Sequence, residues 1–185
     1  IGELSQHIRD VIGKLAIAAT DTSFVQVDWT LMSQAIPTYK SEAIVRVTEG
    51  RQAQLFDKKS RNAFYQEAFQ ISPDSDRMGY RLKGHQLALT EAKELVSEGI
   101  AFGSIQVPPD GQPIILMADR QTTGGYPKIG QVATVDLPKV SQLKPGERIR
   151  FEKITLEQAQ QALLNERQLI AQLTKSISLK FKEGL

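Results

Sequence analysis

Residues 103–127 read GSIQVPPDGQPIILMADRQTTGGYP, and this stretch decides the fold class. Gly103–Val107 and Pro113–Ala118 have the β-branched and apolar content of short strands. The Pro-Pro-Asp-Gly segment between them (residues 108–111) predicts a turn, because proline fixes φ and glycine permits a positive φ. Ile114–Met117 is apolar at every position, so we expect this strand to be covered on both faces.

The same pattern continues on both sides of this stretch. The further segments with strand composition are Ala43–Val47, Gly79–Leu82, Gln86–Leu89, Gln131–Val135 and Glu147–Phe151. A turn signal, Lys-Pro-Gly-Glu at residues 144–147, overlaps the start of the last segment. Many short strands separated by glycine and proline turns predict a mainly β fold, a closed or nearly closed β-barrel.

Helices are predicted on either side of these strands. Ser60–Gln70 is a candidate short helix with Ser60 as its N-cap. Farther along, Thr155 and Gln158 have the spacing of a capping box, which predicts a long C-terminal amphipathic helix. Its apolar stripe consists of Leu156, Ala159, Leu163, Ile170, Leu173 and Ile177. We expect the stripe to pack against the barrel of the same chain, and contact with a partner protein is the alternative.

The predicted barrel is preceded by a segment with weaker signals. Residues 1–22 are polar with a weak helical pattern, and Phe24–Trp29 has the content of a strand. We expect residues 1–42 to be a linker or the remnant of a preceding subdomain. The barrel domain is then predicted at residues 43–152, and the C-terminal helix and tail at residues 153–185.

The composition excludes several classes of function. The 185 residues include 23 basic and 21 acidic side chains, a net charge of +2, and no basic patch interleaved with aromatic residues. We therefore expect no nucleic-acid partner. The absence of cysteine excludes disulfides, thiolate nucleophiles and zinc–sulfur sites. A cytoplasmic setting is the default expectation for a sequence without cysteine. No apolar run approaches the roughly 20 residues of a membrane span, so no membrane partner is expected.

Common catalytic motifs are also missing from the sequence. His7 and His85 are far apart and HExxH does not occur, so no metal site is predicted. No serine lies in a GxSxG elbow, and GxGxxG is absent. Gly125 and Gly130 have the spacing of P-loop glycines, but the required Lys-Ser/Thr does not follow them. Any catalysis must use carboxylates, amides, hydroxyls, guanidinium groups and backbone donors.

The densest polar cluster follows the most apolar predicted strand. Asp119–Thr123 supplies a carboxylate, a guanidinium group, an amide and two hydroxyls, and Gly124, Gly125 and Tyr126 follow. The end of a buried strand lies at the rim of a barrel, where ligand sites are often built. The glycines would expose backbone donors of the kind that stabilise an oxyanion. An ordinary connection, with glycines at turn dihedrals and hydroxyls capping the backbone, is the alternative.

Two other positions are candidates for ligand contacts. Arg77 and Arg81 lie four residues apart in a segment predicted to be extended, so both should face one side of a strand and bind a carboxylate or phosphate. The alternative is a loop ion pair between Asp76 and Arg77, with Arg81 in solvent. Gln106 lies between two apolar residues of a strand, and its amide must pair either with a structural network or with a ligand.

These segments resemble a known family. Residues 103–127, together with SDRMGYRL (75–82), VDLPKVSQLKPGERIRF (135–151) and VRVTEGRQ (45–52), are very similar to the family that comprises allophanate hydrolase subunit 2, biotin-dependent carboxyltransferase and the C subunit of 5-oxoprolinase. The resemblance covers about residues 26–160. It implies a cyclophilin-like β-barrel with a few helices that pairs with a second, homologous subunit, which resembles the B subunit of 5-oxoprolinase or allophanate hydrolase subunit 1.

The resemblance implies two competing chemistries. The first is ATP-dependent cleavage of 5-oxoproline to glutamate, a small amide substrate, with ATP required by the complex. The second is biotin-dependent carboxyl transfer or allophanate hydrolysis of the urea amidolyase type, on a ureido substrate. We favour the first, because a free-standing subunit needs no biotin carrier on its own chain. A non-enzymatic regulator of a sporulation-kinase inhibitor is the third hypothesis.

For an enzyme, the polar residues receive provisional roles from their chemistry. The predicted catalytic residues are Asp119 as acid/base and Gln106, Thr122 and Thr123 as donors to an oxyanion. The predicted substrate-binding residues are Arg77, Arg81, Gly124, Gly125 and Tyr126.

Overall fold

The computed structural model describes residue 30 and residues 39–91 and 95–183. The predictions for residues 1–22 and for Phe24–Trp29 lie outside this part of the chain. The described residues between 39 and 164 form one compact unit. The division into a preceding segment, a barrel domain and a tail stays a prediction.

Short strands dominate the described residues. They are β1 (Glu42–Glu49), β2 (Phe69–Ile71), β3 (Gly79–Lys83), β4 (Glu98–Gly99), β5 (Ser104–Gln106), β6 (Ile114–Leu116), β7 (Thr123–Gly124), β8 (Lys128–Val132) and β9 (Arg148–Lys153). The α-helices are α1 (Lys58–Gln66), α2 (Leu137–Ser141) and α3 (Leu156–Glu183). Short 3₁₀ helices lie at Ala53–Leu55 and Thr134–Asp136.

Seven of these strands close a barrel in the order β1-β8-β5-β6-β3-β2-β9. The neighbours in this order pair antiparallel, except that β9 returns parallel to β1 and closes the barrel. Strands β4 and β7 form a separate two-stranded antiparallel sheet, here called the β4–β7 ribbon. The predicted mainly β barrel with helices, including a long C-terminal helix, is therefore confirmed.

The barrel interior is filled by alternate side chains of its strands. On β1, Ala43, Val45 and Val47 are buried and the residues between them are not, which is the two-residue period of a strand with one face in the core. Phe64 of α1 stacks on Phe151 of β9 with their ring centroids 4.5 Å apart. Aromatic pairs of this kind add about 1 kcal/mol beyond the apolar area that they bury.

Two elements beside α1 differ from their predictions. The N-cap of α1 is Asp57, whose side chain accepts a hydrogen bond from the backbone N–H of Ser60 (2.6 Å), so the prediction of Ser60 as N-cap is wrong. The helix ends at Gln66, and Phe69–Ile71 forms β2 because it pairs with β3 and β9. Tertiary pairing therefore ends a helix that the apolar spacing alone would extend.

Two predicted strands are also corrected. Gln86–Leu89 makes only an isolated bridge between Leu89 and Phe56, so no strand forms there. The segment predicted as a strand at Gln131–Val135 is displaced, because β8 spans Lys128–Val132 and a 3₁₀ helix follows it. The predicted turns at residues 108–111 and 144–147 are present, with Gly111 at φ +74° and Gly146 at φ +89°.

The capping box of α3 is formed as predicted. The backbone N–H of Thr155 donates to Gln158 Oε1 (2.8 Å), and the backbone N–H of Gln158 donates to Thr155 Oγ1 (3.2 Å). Within the predicted stripe, Leu156 and Ile170 are exposed and the other members are partly buried. What covers this stripe stays a prediction. Of the helices described, none is both long and apolar enough to cross a bilayer.

Candidate functional site

A groove of about 590 Å³ lies on the outside of the barrel, beside the β4–β7 ribbon. It is bordered by β3, β5 and β6, by the ribbon and by the loop that connects β6 to β7. Its lining residues are Asp76, Met78, Gly79, Arg81, Ser97, Ile100, Gln106, Ile114, Leu116, Arg120, Gln121, Thr123, Gly124, Gly125 and Tyr126.

Strand β6 provides the apolar floor of this groove. Ile115 and Met117 are buried in the barrel core, whereas Ile114 and Leu116 are only partly buried and line the groove. This explains why the three residues of the strand and Met117 after it are all apolar. One face packs in the core, as predicted, and the other forms the floor of an open groove rather than a second packed interface.

Gln106 of β5 lies at the junction between the barrel and the ribbon. The residue is buried (5% exposed) and lines the groove. Its Nε2 donates a long hydrogen bond to the carbonyl of Tyr126 (3.4 Å), and no described residue donates to its Oε1. A buried amide that is only partly paired within the protein retains hydrogen-bonding capacity for a ligand.

The β4–β7 ribbon forms one wall of the groove through Thr123 and Gly124. Gly99 pairs with Thr123 and Glu98 with Gly124, so the end of the polar cluster that begins at Asp119 forms a short strand. A Cβ at Gly124 would lie 2.6 Å from Ile100 Cδ1 and 3.0 Å from Gln106 Nε2. Only glycine lets the ribbon approach Gln106 this closely.

The two predicted arginines are separated by the structure. Asp76 Oδ1 accepts hydrogen bonds from the backbone N–H groups of Met78 (2.8 Å) and Gly79 (3.0 Å), and this turn ends the extended segment before β3. Arg77 therefore does not share a strand face with Arg81, and that part of the prediction is wrong. Arg81 is exposed on β3, as its alternative expected, and it also lines the groove; its guanidinium group has no partner among the described residues.

Arg77 and Asp119 form an ion pair away from the groove. Arg77 Nε lies 3.0 Å from Asp119 Oδ2, with the two side chains 84% and 47% exposed. Neither residue lines the groove, and neither does Thr122, whose carbonyl accepts a hydrogen bond from the backbone N–H of Ile100 (2.9 Å). The loop ion pair that was the alternative for Arg77 does form, but with Asp119 instead of Asp76.

The groove thus brings together part of the predicted set. The predicted residues that line it are Gln106, Thr123, Arg81, Gly124, Gly125 and Tyr126. The predicted residues that do not line it are Asp119, Thr122 and Arg77. Spacing along the loop after β6 could not separate Asp119 and Thr122 from Thr123, because a turn at residues 117–120 reverses the direction of the chain there.

Arg120 was not assigned a role from the sequence, yet it lines the groove. Its Nε donates to the carbonyl of Ile100 (3.1 Å), and its Nη1 donates to the carbonyl of Met117 (3.3 Å). The guanidinium carbon also lies 5.9 Å from the ring centroid of Phe102. These contacts join the end of β6 to the segment that follows β4. The sequence signal that could have pointed to Arg120 was its position next to Asp119 in the polar cluster.

A second polar cluster, here called the Glu98 cluster, lies behind the ribbon. Glu98 Oε1 accepts hydrogen bonds from Lys128 Nζ (2.6 Å) and Gln52 Nε2 (2.5 Å), and Arg51 lies 3.4 Å from its Oε2. The hydrogen bonds from Lys128 and Gln52 hold the pKa of Glu98 below its usual range, against a smaller opposing effect of burial. None of these residues lines the groove.

The charges of the groove favour a polar, anionic ligand. Its charged lining residues are Asp76, Arg81 and Arg120, and one oxygen of Asp76 is already engaged by the backbone. Guanidinium, amide, hydroxyl and backbone groups together can bind a carboxylate and donate to a developing oxyanion. Across the part of the chain that the structure describes, no group of three or more histidine, aspartate or glutamate side chains could hold a metal ion.

Comparison with known proteins identifies the family. The family model described as "Carboxyltransferase domain, subdomain A and B" matches residues 10–153. The chain is 46% identical to the 5-oxoprolinase C subunit of Haemophilus influenzae over 63% of its own length and 38% of that protein. It is 41% identical to the 5-oxoprolinase C subunit of Escherichia coli over 70% of its length and 42% of that protein.

The fold has a counterpart among solved structures. The crystal structure of the Kluyveromyces lactis urea amidolyase matches 74% of this chain and 9% of that chain with a TM-score of 0.69, at 23% sequence identity. At this identity the likeness concerns the fold alone. The chain spans about two fifths of the length of the curated relatives named above. Because the family model matches well over half of its residues, this chain belongs to the carboxyltransferase-domain family with subdomains A and B.

Proposed function

We propose that this chain is part of the C subunit of a 5-oxoprolinase and takes part, with a partner subunit, in the ATP-dependent hydrolysis of 5-oxoproline to glutamate. The observation that carries the proposal is the 41–46% identity to two proteins of that name. Both relatives are named as subunits, which supports a partner. ATP is required by the complex in this proposal, and no residue of this chain is assigned to it. A cytoplasmic location is part of the same proposal.

The groove supports this substrate through Arg81. 5-Oxoproline carries a carboxylate next to its lactam ring, and Arg81 presents a guanidinium group without a partner among the described residues. A guanidinium group binds a carboxylate through two parallel hydrogen bonds. The apolar floor of Ile114 and Leu116 suits the methylene carbons of the ring, and Tyr126 also lines the groove.

The donors of the groove suit the opening of a lactam. Hydrolysis adds the oxygen of water to the ring carbonyl carbon, breaks the C–N bond and transfers a proton to the nitrogen, which leaves a carboxylate and an amine. Negative charge develops on the carbonyl oxygen in the tetrahedral species. Gln106 Nε2, the Thr123 hydroxyl and the backbone N–H groups near Gly124 and Gly125 are the proposed donors to it.

Asp119 is the candidate acid/base group for this reaction. Its carboxylate is held by Arg77 outside the groove lining, so it can act on a substrate only after that ion pair opens. An Asp119→Asn variant tests this role. Turnover that is unchanged by the substitution would assign proton transfer to another group.

Carboxyl transfer to a ureido nitrogen, with biotin as the carboxyl carrier, is the second candidate because of the family's name. Urea is neutral and offers no carboxylate to Arg81, whereas 5-oxoproline does. A guanidinium group in the groove that no described residue pairs with therefore favours 5-oxoproline over urea as the substrate.

The test is coexpression of this chain with a homologue of the 5-oxoprolinase B subunit, followed by an assay of glutamate release from 5-oxoproline with and without ATP. We expect turnover that requires both the chain and ATP and that falls at least tenfold in a Gln106→Ala variant, since one oxyanion donor contributes about 10²–10³ in kcat. Ser141→Ala, in a residue outside the groove, is the control.

Three outcomes would contradict the proposal. Turnover of 5-oxoproline by the partner without this chain would remove the chain from the reaction. Biotin-dependent carboxylation of urea would support the second candidate instead. A stable complex with a kinase inhibitor and no turnover would support a regulator.

A further inference from the structure

The wall of the groove does not belong to the barrel sheet. Within the described ranges, strands β4 and β7 pair only with each other, and each is two residues long. A two-stranded ribbon of this size is not stable by itself. Its position against the barrel must therefore depend on contacts outside its own two-residue ladder.

Lys128 is a barrel residue that reaches the ribbon. It begins β8, where its backbone is paired with Gln106 of β5 at an irregularity in the register. Its side chain is only 11% exposed, and its Nζ lies 2.6 Å from Glu98 Oε1 on the ribbon. A buried ammonium group is costly unless it is paired, so this contact is strongly favoured over separation.

Gln52 holds the other side of the same carboxylate. Its Nε2 donates to Glu98 Oε1 (2.5 Å), while its own Oε1 accepts from the backbone N–H of Lys128 (3.3 Å). The backbone N–H of Gln52 also donates to the carbonyl of Lys128 (3.2 Å). The loop after β1 therefore fixes both partners of the ion pair.

A series of pairings connects this ion pair to the groove. Glu98 is paired across the ribbon with Gly124, and Gly124 lies directly against the side-chain amide of Gln106. Gln106 is in turn the register partner of Lys128. A shift of the ion pair therefore changes the distance between the ribbon and the Gln106 amide.

We propose that Glu98 and Lys128 are positioning residues, which set the geometry of the oxyanion-binding groove by holding the β4–β7 ribbon at a fixed distance from Gln106. Neither residue lines the groove, so they act through Gly124 and Gln106 and not on the substrate. The inference rests on the proposed function for its kinetic readout. Its structural readout is independent of any activity.

The kinetic test uses the complex with the partner subunit and the variants Glu98→Gln, Lys128→Met and both together. We expect kcat for 5-oxoproline to fall about tenfold or more in each, because displacement of a binding group by 1 Å can cost about 10²-fold. KM should stay within about twofold, since Arg81 is untouched. The double variant should lose no more than the larger single loss, because both changes break one contact.

Arg51→Gln is the matched control. Arg51 lies 3.4 Å from the other oxygen of Glu98, but its side chain is 83% exposed. Exposed ion pairs contribute little, so this variant should keep kcat within about twofold. Unchanged kcat in a folded Glu98→Gln complex would overturn the proposal, and so would an equal loss in Arg51→Gln.

Hydrogen exchange separates the failure of this inference from the failure of the proposed function. In Glu98→Gln, amide exchange of residues 121–127 should accelerate about tenfold or more while β1 stays protected. If the wild-type complex does not hydrolyse 5-oxoproline, the proposed function fails, and faster exchange in this segment still supports the positioning role. An exchange rate equal to that of the wild type would refute the positioning role. If Lys128→Met does not fold, the Glu98→Gln results alone test the proposal.

Discussion

Replacing Gly124 by alanine tests the geometry of the groove with one methyl group. The new Cβ would lie 2.6 Å from Ile100 Cδ1 and 3.0 Å from Gln106 Nε2. To reach an ordinary contact, the Ile100 methyl must move by roughly 1 Å and the Gln106 amide by roughly 0.5 Å. Both atoms are the ends of flexible side chains, so the fold can adapt to the change.

The expected effects on stability and on turnover therefore differ. Overpacking costs about 1–3 kcal/mol, and the loss of glycine flexibility in the unfolded chain offsets about 0.4–1 kcal/mol. We expect a net loss of about 1 kcal/mol, which corresponds to a fall in Tm of about 3 °C. The shift of the Gln106 amide should lower kcat about tenfold or more, because oxyanion donors act at fixed distances.

Gly99→Ala is the matched control for this experiment. Gly99 lies in the same ribbon, and a Cβ there would meet no atom within 4 Å. We expect unchanged kcat and a small gain in stability of about 0.5 kcal/mol. The assay is ATP-dependent glutamate release by the reconstituted complex, together with thermal unfolding of each variant. Equal kcat values for the two alanine variants would refute the role assigned to the contact between Gly124 and Gln106.

Three further predictions follow from other contacts. Arg81→Gln should raise KM for 5-oxoproline about tenfold, whereas Arg77→Gln, outside the groove, should leave it within about twofold in the same assay. Asp136 is fully buried and bonded to Arg46 (2.8 Å), so Asp136→Asn should lower the free energy of unfolding by about 3 kcal/mol in urea titrations. Burial raises the pKa of Asp136, but hydrogen bonds from Arg46 and a neighbouring lysine outweigh this effect and lower the pKa overall. The resulting stability is present above the unfolded-state pKa of about 3.9 and is lost as pH falls through the lower folded-state pKa, which acid unfolding of the variant and wild type can show. Thr155→Ala should weaken the first turn of α3 by about 1 kcal/mol, measured as faster amide exchange there.

Local chemistry in the sequence was sufficient for the fold class. Glycine and proline turns, β-branched runs and the capping box of α3 are interactions between residues a few positions apart, and the structure contains them. The long string at residues 103–127 carried the family resemblance for the same reason, since it is continuous along the chain. The apolar run at residues 114–117 also predicted a strand covered on both faces, and this was only half right, because Ile114 and Leu116 form the floor of an open groove.

Tertiary structure decided which polar residues share the groove. Asp119 and Thr123 are four positions apart in one cluster, yet only Thr123 lines the groove, because a turn and the ion pair with Arg77 direct Asp119 away from it. Phe69 joined β2 and not the preceding helix for a similar reason, since pairing with distant strands outweighs local helical spacing.

The Glu98 cluster is the clearest example of contacts that could not be predicted from the sequence. Gln52, Glu98 and Lys128 are separated by dozens of residues, and although Gln52 ends the VRVTEGRQ string, nothing in the sequence links it to Glu98 or Lys128. Their contacts exist only because barrel closure brings the loop after β1, the ribbon and β8 together. The alternation of side chains along the sequence specifies which face of a strand a residue occupies. Which residues meet across strands depends on the order and register of the strands, and these are fixed only when the barrel closes.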